Sequence, residues 1–421
     1  MADGAEEEEL CELGPACGTV LAASVGREEL AVALARADGR LIKRETAKLY
    51  VEPPRNSSQD GPEKFKEVLA SLFRACLEGD HAPVVAVAVA WHGRVDPSLN
   101  EGRGDPHKRS YYKAWKKEGV SLAALVREAM DAAGVRKDLP VDVVNDADAG
   151  MMALAHATLE DRRELKGTDD LPGVAEIQEM IAASQVTLGV TIAGGVGGAL
   201  MFAPKADVRR SVERGSHGFV GELGQIPINV LRADAEKAND IDSMVSLQEL
   251  KENKDFPKWK CTYRETLDHY ASGRSIVEQL YPKRLDGGYN GRIRVIHERL
   301  DMGEGDAELQ HVMDRAGRLI GQGLIGPTLM VDPDLIVISS FAYSPDLLTG
   351  VKHVLSTSAV HVGLKKQRMV LAPGDPDRTL KGAARWAIEA RISPVLEEVC
   401  KTGNSGLDEL KAKLLDGADI P

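Results

Sequence analysis

The chain is a succession of apolar runs cut by glycine, proline and charged clusters, and the spacing inside each run separates strands from helices. From Gly18 three runs, TVLAASVG, REELAVALARADG and RLIKRETAKLY, are divided by turn residues. They predict a three-stranded meander with Asp38 and Gly39 as a hairpin turn, because an Asp-Gly pair takes the left-handed backbone such turns need. Residues 63–77 place Phe65, Val68, Leu69, Leu72 and Phe73 at helical spacing, and residues 81–83 break that helix. The unbroken run VVAVAVAWHG then reads as a strand buried on both faces. Residues 100–110 are a glycine-rich, charged loop, and 122–133 an amphipathic helix stopping at Gly134. A strand over 139–144 delivers Asn145, Asp146 and Asp148 at its end, and a helix resumes over 150–159. Open α/β sheets place ligands where a strand end meets a helix start. Residues 160–183 are charged and read as an inserted excursion.

The stretch 186–228 carries the densest signal. It opens VTLGVTIAGGVGGALMF and closes GSHGFVGELGQIPI. The first part predicts a strand, a turn at Gly194, Gly195, Gly197 and Gly198, and a second strand. Such glycines let backbone N–H groups approach an anion closely. Glu222 lies between Gly221 and Gly224, where the backbone can bend around an acidic side chain suited to neutral hydroxyls. Hairpins and bulges use the same glycines, so this stretch alone does not decide its chemistry. Beyond it, 231–258 are polar, and 261–281 and 307–325 read as helices. A strand spans 331–340, with Asp332 and Pro333 at its start. Residues 347–356 are helix, 369–371 a short strand, 380–392 a helix of small residues, and the tail from Lys401 is amphipathic. Two meander-plus-helix blocks, starting near 18 and 186, suggest a duplicated architecture.

Composition narrows the picture. With 421 residues and 43% hydrophobic content, two domains are the expectation. A net charge of −12 argues against a general nucleic-acid surface, and 4% aromatics against base-stacking platforms. Cys11, Cys17, Cys76, Cys261 and Cys400 are scattered, with no spacing for a disulfide framework or a zinc knuckle. The start, MADGAEEEEL, lacks a signal-peptide pattern, and no apolar stretch is long enough to span a bilayer. A cytoplasmic location is expected. Residues 1–14 read as a disordered acidic lead-in. The Ala, Gly, Arg and Asp usage looks like a bacterial coding bias.

Five stretches in order, VVNDADAGMMALAHA, AGGVGGAL, GFVGELGQIPI, VDPDLIVISS and LKGAARWAIEA, resemble segments of the ROK family of repressors, open reading frames and sugar kinases. The resemblance covers roughly residues 18–392. It implies an α/β, two-domain actin-like ATPase (sugar kinase) fold whose domains close on a cleft. The smaller domain would comprise 15–150 with 381–400, the larger 151–380, and 401–421 a tail. It implies a sugar site at Asn145, Asp146, Glu222, Gln225 and Asp268, with Asp146 as catalytic base in a kinase. It also implies a phosphate side at Gly26, Gly194, Gly195, Gly197 and Gly198, and a homodimer. The bland alternative for Asn145 and Asp146 is that they only cap a helix beginning near Ala149.

The departures from the family pattern matter as much. The family's Asp-x-Gly-Gly-Thr phosphate hairpin is here Ser24-Val25-Gly26-Arg27-Glu28-Glu29, which removes the acidic residue and adds charges that repel a triphosphate. Ser339 and Ser340 replace the adenosine-side glycines. The zinc motif falls on residues 259–268, where only Cys261 survives, while Trp259 and Thr266 take other ligand positions and Gln225 takes that of the family's metal-binding His. One soft ligand does not make a tetrahedral site, so no zinc is expected. His217 and His269 read as ordinary hydrogen-bonded residues. The expected function is a carbohydrate-binding or sensing regulator of neutral sugars, without cofactor or kinase activity. No winged helix-turn-helix head is expected in the short stretch ahead of Gly18. The alternatives are an ATP- and magnesium-dependent hexose-type kinase with a rearranged phosphate loop, and a protein-interaction relic. Trp91-His92-Gly93 could line the cleft, although His92 is as readily structural. Arg103, Lys108 and Arg109, near Tyr111 and Tyr112, read as a solvated loop.

Overall fold

Alternation within the apolar runs sorts the side chains of each strand onto two faces, and the computed structural model shows what covers them. It describes residues 18–26, 29–48, 61–96, 99–102, 121–167, 171–203, 211–213, 221–228, 266–281, 288–301, 306–342, 344–357 and 368–394. In chain order the elements begin with strands β1 (Thr19–Val25), β2 (Glu29–Arg36) and β3 (Leu41–Lys48), helix α1 (Gly61–Leu77) and strand β4 (Val84–Trp91). The short strands β5 (Val95–Asp96) and β6 (Glu101–Gly102), helix α2 (Leu122–Ala132), strand β7 (Val141–Asn145), and helices α3 (Asp146–Ala155), α4 (Leu159–Glu164) and α5 (Val174–Ala183) follow. Next come strands β8 (Val186–Ile192), β9 (Val196–Phe202) and β10 (Ser211–Glu213), and helices α6 (Leu267–Ala271), α7 (Gly273–Leu280), α8 (Gly288–Asp301) and α9 (Ala307–Val331). The last are β11 (Leu335–Ser340), α10 (Pro345–Thr357), β12 (Arg368–Ala372) and α11 (Arg378–Ala387), which continues as a π-helical turn over Ile388–Ile392. The chain divides into two units, 1–164 with 214–219 and 376–421, and 165–213 with 220–375.

The first unit holds a sheet of order β3-β2-β1-β4-β7. β1, β2 and β3 form the antiparallel meander, and β4 and β7 run parallel to β1 and to β4. One face, with Leu21, Ala23, Val87 and Val89, packs on Phe65, Leu69 and Phe73 of α1 and on Leu125 and Val126 of α2. The other face is almost all small: Ala22, Ala33, Ala86, Ala88 and Ala90 lie against Ala149 of α3 and Ala383, Ala384 and Ala387 of α11. Small residues let backbones approach. A Cβ added to Gly382 of α11 would stand 1.6 Å from the Ala149 carbonyl oxygen of α3. Lys381 reaches from the same helix to Asp161 of α4. Burial pushes the Asp161 carboxyl up, but hydrogen bonds from Lys381 and Thr158 outweigh it and hold the group below its ordinary value.

The second unit repeats the plan. Its sheet order is β10-β9-β8-β11-β12, with β8, β9 and β10 antiparallel and β11 and β12 parallel to β8. The duplication expected from element order is present strand for strand. Leu188, Val190 and Ile192 of β8 pack on Leu319, Ile320 and Leu324 of α9 and on Leu347 and Val351 of α10. α9 and α10 nearly touch along their backbones: a Cβ on Gly317 would lie 2.1 Å from the Leu347 oxygen, and one on Gly350 2.2 Å from the Asp314 oxygen.

Four expectations need correction. The helix expected over 150–159 starts at Asp146, because Asn145 caps it directly, and ends at Ala155. The excursion over 160–183 is instead α4 and α5, and Val174, Ile177 and Ile181 bury a stripe at i, i+3, i+7 that the surrounding charges obscure. α9 runs past Pro327 to Val331, and Asp332, at φ 45°, turns the chain so that the strand begins only at Leu335. The segment read as one helix over 261–281 breaks at Ser272, whose hydroxyl accepts the Ser275 amide and starts α7. The lead-in 1–14, the polar stretch 231–258, the basic loop 103–112 and the tail from Lys401 lie outside the described residues. Among the described residues no helix is long and apolar enough to cross a membrane.

Candidate functional site

In the first unit the parallel strands finish together: Val25 pairs with Trp91, and Trp91 with Asn145. This carboxyl edge is where sheets of this class receive ligands. The His92 Nδ1 lies 3.0 Å from the Val25 carbonyl, and the Asn145 Nδ2 donates to the Gly93 carbonyl at 3.0 Å. Those bonds tie the corner after β4 to the ends of β1 and β7, and give His92 a structural role. Asn145 is buried, and its Oδ1 accepts the Ala147 amide at 2.9 Å, so the capping reading holds for it. Asp146, partly exposed, is the first helical residue, and its Oδ1 accepts the same amide at 2.9 Å. Its carboxylate sits at the positive end of α3. The β1–β2 turn closes on itself: the Gly26 amide donates to the Glu29 carbonyl at 2.9 Å. Arg27 and Glu28 lie outside the described residues.

Asn100, which the sequence reading passed over, holds this edge from the side. Its Nδ2 donates to the Val141 carbonyl at 2.6 Å, and its Oδ1 accepts the Val143 amide at 2.7 Å. The side chain thereby completes the open edge of β7, from a backbone at φ 48°. The available signal was an asparagine in a turn, a residue that tolerates left-handed geometry.

In the second unit the glycine turn between β8 and β9 is gripped from several sides. The Ala193 amide donates to the Gly195 carbonyl at 2.8 Å, and the Gly273 amide, at the start of α7, donates to the Ala193 carbonyl at 2.8 Å. The Val196 amide donates to Asp268 Oδ1 at 2.8 Å. A Cβ on Gly195 would meet that carboxylate oxygen at 2.7 Å. Gly221, at φ +93°, has no room for a side chain either, because a Cβ there would lie 2.1 Å from the Gly198 oxygen. One on Gly224 would lie 2.5 Å from the Val196 oxygen. These glycines serve close approach between chain segments. Gly194 is exposed with open space around its would-be Cβ, and Gly197 is partly buried.

The same packing gathers three of the five expected sugar residues. Glu222 precedes the 3-10 turn Leu223–Gln225, Gln225 is exposed, and the Leu267 amide donates to the Ile226 carbonyl at 2.9 Å. Pro227 bridges to Thr266, which sets Asp268 beside the glycine turn. On the β11 side, Ser339 and Ser340 are buried, and the Ser340 hydroxyl accepts the Ala342 amide at 3.1 Å. Among the described residues no group of three His, Cys, Asp or Glu side chains could hold a metal ion; Trp259, Cys261 and His217 are outside them.

Residues 174–390 match the model of the ROK family. Many solved structures resemble the chain, three of them as follows. A ROK family glucokinase from Streptomyces griseus, in complex with glucose and AMPPNP, is 16% identical with a TM-score of 0.56, over 88% of this chain and 100% of that one. A glucokinase from Balamuthia mandrillaris in complex with glucose is 10% identical with a TM-score of 0.56, over 91% of this chain and 99% of that one. A ROK family transcriptional regulator, a homolog of the E. coli MLC protein, is 18% identical with a TM-score of 0.54, over 95% of this chain and 79% of that one. No curated protein sequence matches. The α/β architecture is that of ROK sugar kinases, the actin-like ATPase fold. With its family model matched from α5 through α11 and both meander sheets in place, the chain belongs to the ROK family.

Proposed function

We propose that this protein binds a neutral sugar without phosphorylating it, acting as a carbohydrate-responsive regulator. The observation that carries the reading is the closure of the β1–β2 turn on itself. The Gly26 amide, which a phosphate-binding hairpin would direct at its ligand, is engaged by the Glu29 carbonyl. On this reading Glu222, Gln225 and Asp268, all within the second unit, offer the acceptors and the amide that sugar hydroxyls need. Phosphoryl transfer depends on positioning and charge neutralisation, and a turn that bonds to itself beside acidic residues supplies neither. Glucose in two of the structures of this fold makes a hexose the first ligand to try.

A second reading, an ATP-dependent hexose kinase, draws on Asp146, a carboxylate at the carboxyl edge of its sheet to which this reading gives the part of general base. Calorimetry over hexoses and amino sugars, run beside a coupled ADP-release assay, separates the two. A sugar that binds the wild type, binds Glu222→Ala at least about tenfold more weakly, and yields no ADP supports the sensor, a charge-assisted hydrogen bond being worth about 1.5–3 kcal/mol. ATP turnover abolished by Asp146→Asn establishes the kinase instead.

A further inference from the structure

The glycine turn is held by the corner between α6 and α7, not by its own sequence alone. Two bonds tie the turn to that corner: the Gly273 amide donates to the Ala193 carbonyl, and Asp268 Oδ1 accepts the Val196 amide, each at 2.8 Å. The carboxylate also fills the space that side chains at Gly195 and Gly224 would occupy, its Oδ1 lying 2.7 and 3.2 Å from their would-be Cβ atoms. Leu267, one residue before Asp268, is fully buried and lies 2.8 Å from a would-be Cβ on Gly323 of α9, so the corner itself is anchored in the core. An anchored carboxylate that accepts a loop amide fixes the loop.

We propose that Asp268 is a positioning residue: one carboxylate oxygen holds the Ala193-Gly194-Gly195-Val196 turn in its observed conformation, and the direction of the turn's remaining amides depends on it. The proposal goes beyond the sugar-binding reading and does not need it, because both partners of the bond belong to this chain. It changes what the residue does under that reading. Any hydroxyl Asp268 receives is presented by a group already fixed against the turn, so loss of the side chain would disturb both.

The test is amide hydrogen exchange at Val196 in the full chain, read by NMR or by overlapping peptides, for wild type, Asp268→Asn and Asp268→Ala, with Val190 in β8 as the internal reference. Asn keeps an acceptor oxygen in place and Ala removes it. The expected result is a loss of protection at Val196 of about tenfold or more in Asp268→Ala, wild-type protection in Asp268→Asn, and no change at Val190 in either. Val196 protection in Asp268→Ala equal to wild type overturns the proposal, and so does an Asn variant as unprotected as Ala. If Asp268→Ala fails to fold, Asp268→Val, which also lacks the acceptor oxygen, takes its place in the comparison and is expected to lose the same protection at Val196. Calorimetric titration of wild type with glucose runs alongside. No binding there counts against the sugar reading, while the exchange data still judge the role of Asp268.

Discussion

Replacing Gly382 by alanine tests the packing on which the first unit's candidate residues rest. The new methyl carbon would lie 1.6 Å from the Ala149 oxygen, 2.2 Å from its carbonyl carbon and 2.8 Å from its Cα. All three are backbone atoms, so no rotamer change relieves the clash, and restoring a normal contact requires α11 and α3 to separate by roughly 1.5–2 Å. Overpacking commonly costs about 1–3 kcal/mol, and a backbone-on-backbone clash belongs at or above the top of that range. Alanine returns about 1 kcal/mol of helix propensity. The net expectation is a loss of about 2–4 kcal/mol. Gly374→Ala, with open space around its Cβ, serves as the control and should stay within about 0.5 kcal/mol. Urea unfolding followed by circular dichroism and tryptophan fluorescence gives the global numbers. Because two units can unfold separately, exchange at the amides of α3 gives the local one. A Gly382→Ala protein within about 0.5 kcal/mol of wild type, with α3 protected as before, would refute the close contact and the account of how α3 is held.

Other expected outcomes follow from the same contacts. Asn145→Ala removes the α3 cap and strands the Gly93 carbonyl, for a loss of roughly 2–4 kcal/mol in urea unfolding; Asn145→Asp keeps the capping acceptor and should lose about half as much. The Asp161 carboxyl has a folded pKa below its unfolded value, so its contribution is full above about pH 4 and fades as pH falls through the folded value. Lys381→Met leaves that carboxylate buried without its cation, which should cost roughly 2–4 kcal/mol at pH 7 and move the acid loss of stability to higher pH; stability curves that stay parallel between pH 3 and 7 would contradict this. Chelator-treated protein should contain no stoichiometric zinc by elemental analysis, since the residues at the family's ligand positions include Trp259, Thr266 and Gln225.

Much of the fold was legible because burial leaves periodic traces. The run Val84–Trp91 reads as a strand covered on both faces, and its side chains from Val85 onward are buried. The stripe of α5 was missed because Glu176, Gln178 and Glu179 share its turns, and a short amphipathic helix among charges has no contrast with a loop. The end of α9 was misjudged at Pro327, since proline weakens a helix but packing can carry it further. At the candidate site, residue types were readable and roles were not. Asn145 was recognisable as either cap or ligand contact, and only its partners at Ala147 and Gly93 show how much of its amide serves the scaffold. Asp268 lies far along the chain from Val196, and no local pattern announces a bond between them.

The interlocked glycines carry a consequence for how such chains drift over time. Gly198 against Gly221, and Gly224 against Val196, are demanded by the meeting of two stretches of main chain whether or not any anion visits. A lineage that abandons phosphate chemistry therefore still pays in folding for each methyl group it adds at Gly198, Gly221 or Gly224. Drift is free to act first on Gly194, whose surroundings are open. The second hairpin should thus keep the appearance of a phosphate loop whether or not phosphate chemistry persists.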